Sequence, residues 1–197
     1  MISYFHTMQH THENPWEIVS EKEVYDNPWI SLTEYQVINP SGKPGIYGKV
    51  HFKNLAIGVV VLDEDMHTYL VGQHRFPLNE YSWEIPEGGG ILGIDPLESA
   101  KRELLEETGL KAENWIEIQR LHLSNSVTDE LSILYLARSL QQFEAEPEET
   151  EQLQVKKIPF KQAYEMVCNG QITDAMSVAA IMKVQMMIVE GKIAPNP

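Results

Sequence analysis

Residues 88–110 read GGGILGIDPLESAKRELLEETGL, and the interpretation of the whole chain turns on them. Asp95, Pro96 and, three residues after the aspartate, Glu98 form a helix start. The aspartate can cap free N–H groups, proline suits the first helical position, and Glu98 can complete a capping box. Gly109 marks the stop, in the left-handed conformation that glycine tolerates best. Leu97, Ala100 and Leu104, at spacings of three and four, predict a buried stripe. Glu103, Glu106 and Glu107 share another face, where like charges three and four residues apart repel. They also lie near the helix C-terminus, whose partial negative charge disfavours anions. A solvated acidic face is one reading of this crowding. A helix built to receive divalent cations is the other, because hard carboxylate oxygens with room for water suit Mg2+ or Mn2+.

The 197-residue chain is 43% hydrophobic and 22% charged, enough for one domain with a small appendage or one large domain. No apolar run approaches the roughly 18 residues of a membrane span, so no membrane partner is expected. The N-terminal MISYFHTMQHTHENPW lacks the basic flank and apolar run of a signal peptide, and Cys168 is the only cysteine. A cytoplasmic location is the expectation. The net charge of −14 argues against a nucleic-acid partner. It leaves room for a small phosphorylated substrate, provided that divalent cations stand between the two negative partners.

Residues 1–14 carry His6, His10 and His12, and a poorly ordered terminus is expected there rather than a metal site. Residues 15–53 are β-like, with WISLTEYQVI and IYGKVHF separated by the turn-rich NPSGKPG. In the second run Ile46, Val50 and Phe52 alternate with Tyr47, Lys49, His51 and Lys53, which predicts one buried and one wetter face. Residues 54–197 form the main domain. LAIGVVVL, residues 55–62, reads as a central strand with TYLVGQHRF as its hairpin partner. WIEIQRLHL, LSILYLARSL and QVKKIP are further strands; PFKQAYEMVCNG is a helix ended by Gly170. A last helix over about 174–190 places Val178, Met182, Met186 and Val189 on a stripe expected to face the core. This mixture without strict alternation predicts an α+β layered domain on a mixed sheet, preceded by a small antiparallel β segment.

The opening stretch resembles the Nudix box, in which Gly, five residues, Glu and seven residues precede Arg-Glu-hydrophobic-x-Glu-Glu-x-Gly-hydrophobic. Gly88 starts it, and Arg102, Glu103, Leu104, Glu106, Glu107, Gly109 and Leu110 finish it in register. Ile94 stands where the pattern has its first glutamate, the usual partner of the arginine matched by Arg102. WEIPEGGG, DPLESAKRELLEETG and NGQITDA extend the resemblance, from about residue 16 to 191, toward the ADP-ribose and nucleotide-sugar pyrophosphatases of that family. The resemblance implies a Nudix α/β/α sandwich and a homodimer formed through the N-terminal β segment. It also implies hydrolysis of a nucleoside diphosphate sugar to a nucleoside monophosphate and a sugar phosphate. Dinucleoside polyphosphates or oxidised nucleotides are alternative substrates, and a non-catalytic ligand-binding module is the alternative outside enzymes.

Metal ligands implied by the resemblance are Glu103, Glu106, Glu107 and the main-chain carbonyl of Glu87, with Mg2+ or Mn2+ as the cofactor. Catalytic roles fall to Arg102 and Glu106, and to a general base in the acidic loop FEAEPEETEQ. There Glu149 and Glu151 match best, with Glu148 next. Candidate substrate contacts are Trp29 and Tyr81 as stacking aromatics, Arg75 as a phosphate clamp or the partner of an acid, and Gly88.

Overall fold

The computed structural model describes residues 13–143 and 153–193. The N-terminal histidines and the loop candidates Glu148, Glu149 and Glu151 lie outside the described residues. The chain divides into two compact units, residues 1–51 and 52–197.

In the first unit, strands β1 (Glu17–Asp26), β2 (Ile30–Ile38) and β3 (Pro44–Phe52) form a sheet in that order. β1 and β2 are antiparallel, from Glu17 opposite Ile38 to Asp26 opposite Ser31. Asn27 shapes the turn between them, its Oδ1 accepting from the N–H groups of Trp29 and Ile30. This is the side-chain turn that asparagine favours. Asn39 does the same for Ser41 and Lys43, beside Gly42 at φ 77°. The expected buried face of β3 is not uniform: Ile46 is 66% exposed. Every residue of β1 is exposed.

The second unit is two layers of helix around β-structure. Strands β4 (Asn54–Leu62), β7 (Glu87–Ile91), β8 (Leu110–His122) and β9 (Leu131–Gln142) make a mixed sheet ordered β7-β4-β9-β8. β4 runs parallel to β9 and antiparallel to β7. Strands β5 (His67–Arg75), β6 (Glu80–Glu84) and β10 (Gln154–Pro159) make a second sheet, β10-β5-β6, antiparallel throughout. β4 is central, as its sequence predicts, but β5 is not its ladder partner. Both edges of β4 are taken, by β7 and β9, so the chain turns at Asp63–Met66 and β5 enters the other sheet. Met66 takes φ 60° in that turn, and Asp63 Oδ1 accepts from the N–H groups of Asp65 and His67.

The alternation of β4 and β9 builds two cores at once. Ile57, Val59 and Val61 with Ile133, Tyr135 and Ala137 face helix α1 (Pro96–Thr108). Val60 and Leu62 with Leu134 and Leu136 face helices α2 (Phe160–Cys168) and α3 (Ala175–Val189). Helix α3 turns a different face inward from the one expected. Met176, Ser177, Ala180, Ile181 and Val184 are buried, while Met182, Met186 and Val189 are 37%, 54% and 69% exposed. The helix is apolar nearly all round, so its sequence offers two candidate stripes. Serine and alanine on the buried one permit close approach, and Ser177 Oγ accepts from the buried N–H of Ile85 at 2.9 Å.

Candidate active site

The cap and stop signals in residues 95–109 act as read, but Glu98 turns to Lys101 and does not complete the expected capping box. Asp95 Oδ1 accepts from Leu97 N–H at 3.0 Å, Pro96 begins α1, and Gly109 at φ 69° donates its N–H to Leu105 O at 2.8 Å. Glu98 joins Lys101 at 2.7 Å. Leu104 and Ala100 are fully buried, and Leu97 is partly so.

The acidic residues divide by one helical turn. Glu103 and Glu107 are buried, 8% and 3% exposed, on the side of α1 that crosses β7. Glu106 is at the rim. Glu107 Oε2 accepts from the N–H of Glu87 at 2.9 Å. The Glu103 carboxylate sits directly over Gly88, where a Cβ would collide with it. Gly88 thus has a steric reason to be glycine: the backbone of β7 must pass beneath a carboxylate.

Arg102 is oriented without an acidic partner at position 94, and Ile94 itself is 47% exposed. Its guanidinium donates to Glu106 at 2.6 Å, to Glu103 at 2.5 Å and to the carbonyl of Gly89 at 2.9 Å. Burial works against its charge, but the carboxylates of Glu103 and Glu106 hold its pKa above the ordinary value. The arginine therefore neutralises part of the repulsion inside RELLEE. Among the described residues, no three His, Cys, Asp or Glu side chains already stand in a metal-holding arrangement.

A second charged group forms on β5–β7. Arg75 binds Glu84 through Nε and Nη2, at 3.0 and 2.5 Å, and Nη2 also donates to Glu87 at 2.8 Å. Glu84 is 3% exposed. Of the two roles open to Arg75, pairing with an acid is the one its geometry displays. Burial opposes its charge, and Glu84 and then Glu87 more than offset that, keeping it protonated. Glu87 is pushed well above the ordinary carboxylate range by burial, then by the charges of Asp174 and Glu84, with Arg75 opposing. Glu130 moves up as well, through burial and Asp174. Glu84 and Asp174 were not singled out from the sequence: Glu84 is one of two glutamates in EYSWE, and Asp174 caps the last helix.

Tyr81 stands elsewhere. In the β5–β6 register Arg75 shares a pleat face with Glu84, and Tyr81 and Trp83 project from the opposite face. Tyr81 packs edge-on against Trp83, ring centres 5.6 Å apart, above Gly72. Trp29 belongs to the first unit, 66% exposed in the β1–β2 turn.

The donors at α1 and β7 fit a hard divalent cation: two buried carboxylates one turn apart, beside the main chain of β7. Known proteins share this frame. The NUDIX domain model matches residues 52–175, and the nucleoside diphosphate sugar hydrolase N-terminal domain matches residues 16–50. An ADP-ribose pyrophosphatase of Mycobacterium tuberculosis is 28% identical over 94% of this chain and 90% of its own length. An ADP-ribose pyrophosphatase of Bacillus subtilis is 28% identical over 85% of this chain and 91% of its own. A crystal structure of an ADP compounds hydrolase superposes with a TM-score of 0.81 at 19% identity, covering 93% of this chain and all of that one. With residues 52–175 matched to its model and the α1 carboxylates seated on β7, the chain belongs to the Nudix family of hydrolases.

Proposed function

We propose that this protein hydrolyses the diphosphate bond of a nucleoside diphosphate sugar, ADP-ribose or a close relative, with Mg2+ or Mn2+, releasing a nucleoside monophosphate and a sugar phosphate. The observation that carries the reading is the placement of Glu103 and Glu107, buried side by side over the glycine strand at 87–89. Burying carboxylates is costly unless cations or N–H donors compensate them, and a divalent cation would add to what Arg102 and the Glu87 N–H supply. Relatives named ADP-ribose pyrophosphatase, together with an ADP-sugar pyrophosphatase of Mus musculus that is 30% identical over 54% of this chain, support the substrate class.

Glu103, Glu107 and the main-chain carbonyl of Glu87 would hold the cation, with Glu106 at its edge. When bound, it neutralises phosphate oxygens and lowers the pKa of an attacking water. The chain's own residues supply the rest. Arg102 fixes the orientation of Glu103 and Glu106, and the Arg75–Glu84 pair holds Glu87 and the start of β7 in place. Gly88 lets Glu103 reach the strand. The proton of the attacking water goes to a glutamate of the acidic sequence FEAEPEETEQ, Glu149 or Glu151, with Glu148 next.

The decisive experiment is a panel of ADP-ribose, GDP-mannose, UDP-glucose and diadenosine polyphosphates, assayed with Mg2+ and with Mn2+. Turnover of ADP-ribose above the others is expected, and no hydrolysis of any of them would overturn the proposal. Replacing Glu148, Glu149 and Glu151 singly by glutamine should lower turnover about 10²-fold at the one that serves as base.

A homodimer through residues 15–53 belongs to the same reading. Ile18, Val19, Val24 and Tyr25 of β1 are 53–61% exposed, and a strand with so much apolar surface in the open calls for a partner. Sedimentation equilibrium should give twice the 22.5 kDa chain mass, and replacing Ile18 and Val24 by glutamate should return the monomer.

A further inference from the structure

A cavity of about 400 Å3 lies between the outer side of α1 and the start of β8. It is within the range of small-molecule sites. Its walls are apolar at Leu105, Ala112 and Trp115, and cationic at Lys101, Arg102 and Lys111, with Glu98 the one acid on the lining. Arg102 is committed to Glu103 and Glu106, so the cationic character open to a ligand comes from Lys111 and from Lys101.

The indole N–H of Trp115 is spent on Ala112 O at 2.9 Å, and Tyr135 supports its ring edge-on at 6.2 Å. What Trp115 contributes is a fixed aromatic surface. Lys111 has no carboxylate partner among the described residues; its ammonium sits 4.5 Å over the Phe143 ring. Lys101 is paired with Glu98, but both side chains are about half exposed, so that pair exchanges partners readily. An aromatic wall beside the Lys111 ammonium, which meets no carboxylate among the described residues, matches a ligand that joins a planar ring to a phosphate.

We propose that this cavity is an accessory site for a nucleoside monophosphate, the product released by the proposed hydrolysis and therefore present wherever the enzyme works. The proposal rests on that reading for the choice of ligand only. Binding here needs no divalent cation, whereas the α1–β7 site presents carboxylates and repels phosphate unless a cation is bound.

The test is calorimetric titration of the full chain with AMP in EDTA, with adenosine, ribose 5-phosphate and inorganic phosphate as separate arms. One equivalent of AMP is expected to bind, at least about tenfold more tightly than any of the three fragments. Lys111→Glu and, separately, Lys101→Glu should weaken it about tenfold, as the loss of a charge-assisted contact does. Both positions are on the surface, and a circular dichroism melt confirms that each variant is folded. Failure of AMP to bind in EDTA, or binding that both variants leave within twofold, overturns the proposal. So does phosphate alone binding as tightly as AMP. None of these results depends on hydrolysis, so failure of the substrate panel and failure of the titration are told apart.

Discussion

The two faces of the β7-β4-β9-β8 sheet are built by alternate residues of the same strands and bury different chemistry. Against α2 and α3 the interior is almost wholly aliphatic, with Val60, Leu62, Leu134, Leu136, Ile181 and Val184 closing on one another. Ser132, Thr68 and Ser177 are the small buried polar groups there, and Ser177 serves a main-chain N–H. Against α1 the aliphatic patch of Ile57, Val59, Val61 and Leu104 ends in buried Glu103, Glu107 and Thr108. Fixing a backbone can be done by apolar burial alone. Fixing carboxylates against their own desolvation needs donors, here the N–H of Glu87 and the guanidinium of Arg102. The difference separates a face that serves the fold alone from the face that carries the candidate site.

The sharpest way to break this division is to exchange charge for stability on each face. Glu103→Gln and Glu107→Gln should each lower turnover about 10³-fold, on the scale of losing a principal electrostatic contact, while the melting temperature stays the same or rises. Ile181→Ala should do the reverse: about 2–5 kcal/mol of stability lost, with kcat of the folded enzyme kept. Steady-state kinetics alongside urea melts read both, and a kcat collapse in Ile181→Ala would erase the distinction.

Smaller changes sharpen it. Gly88→Ala pushes a methyl group into the Glu103 carboxylate, and roughly tenfold to 10²-fold lower turnover is expected, as from misplacement of a catalytic group by about 1 Å. Ser177→Ala orphans the Ile85 N–H on the other face and should remove about 1–3 kcal/mol of stability without touching kcat. The smallest effect is in pH. Burial and the neighbouring carboxylates raise Glu87 above its ordinary 4.5, so the folded state holds a proton that the unfolded chain releases. That contribution is complete below 4.5 and fades as pH rises through the folded value. Melts between pH 4.5 and 7.5 should show wild type losing stability relative to Glu87→Gln as pH rises, and parallel curves would refute the assignment.

Much of the α1 face was legible from residues alone because its signals are local. Asp95, Pro96 and Gly109 act on backbone groups within four residues of themselves, and Glu103, Glu106 and Glu107 are placed by helical spacing. The unbroken apolar run 55–62 announced a strand buried on both sides. Where the competing partners are distant, the reading changed. β5 left its expected hairpin because β7 and β9 had already filled both edges of β4. Helix α3 turned Ala180 and Ile181 inward instead of Met182 and Met186, since an almost uniformly apolar helix leaves the choice to whatever packs on it.

Spacing along one segment was enough to set the helix with its caps and to place the acidic triplet, and the order of strand-like and helix-like runs set the mixed α+β class. Tertiary structure decided the rest. It seated Glu103 over Gly88, turned Arg102 onto Glu103, Glu106 and Gly89, and bound Arg75 to Glu84 and Glu87. Those choices depend on which strand passes beneath a carboxylate and how deeply both are removed from water, and a charge's best partner is set by that geometry.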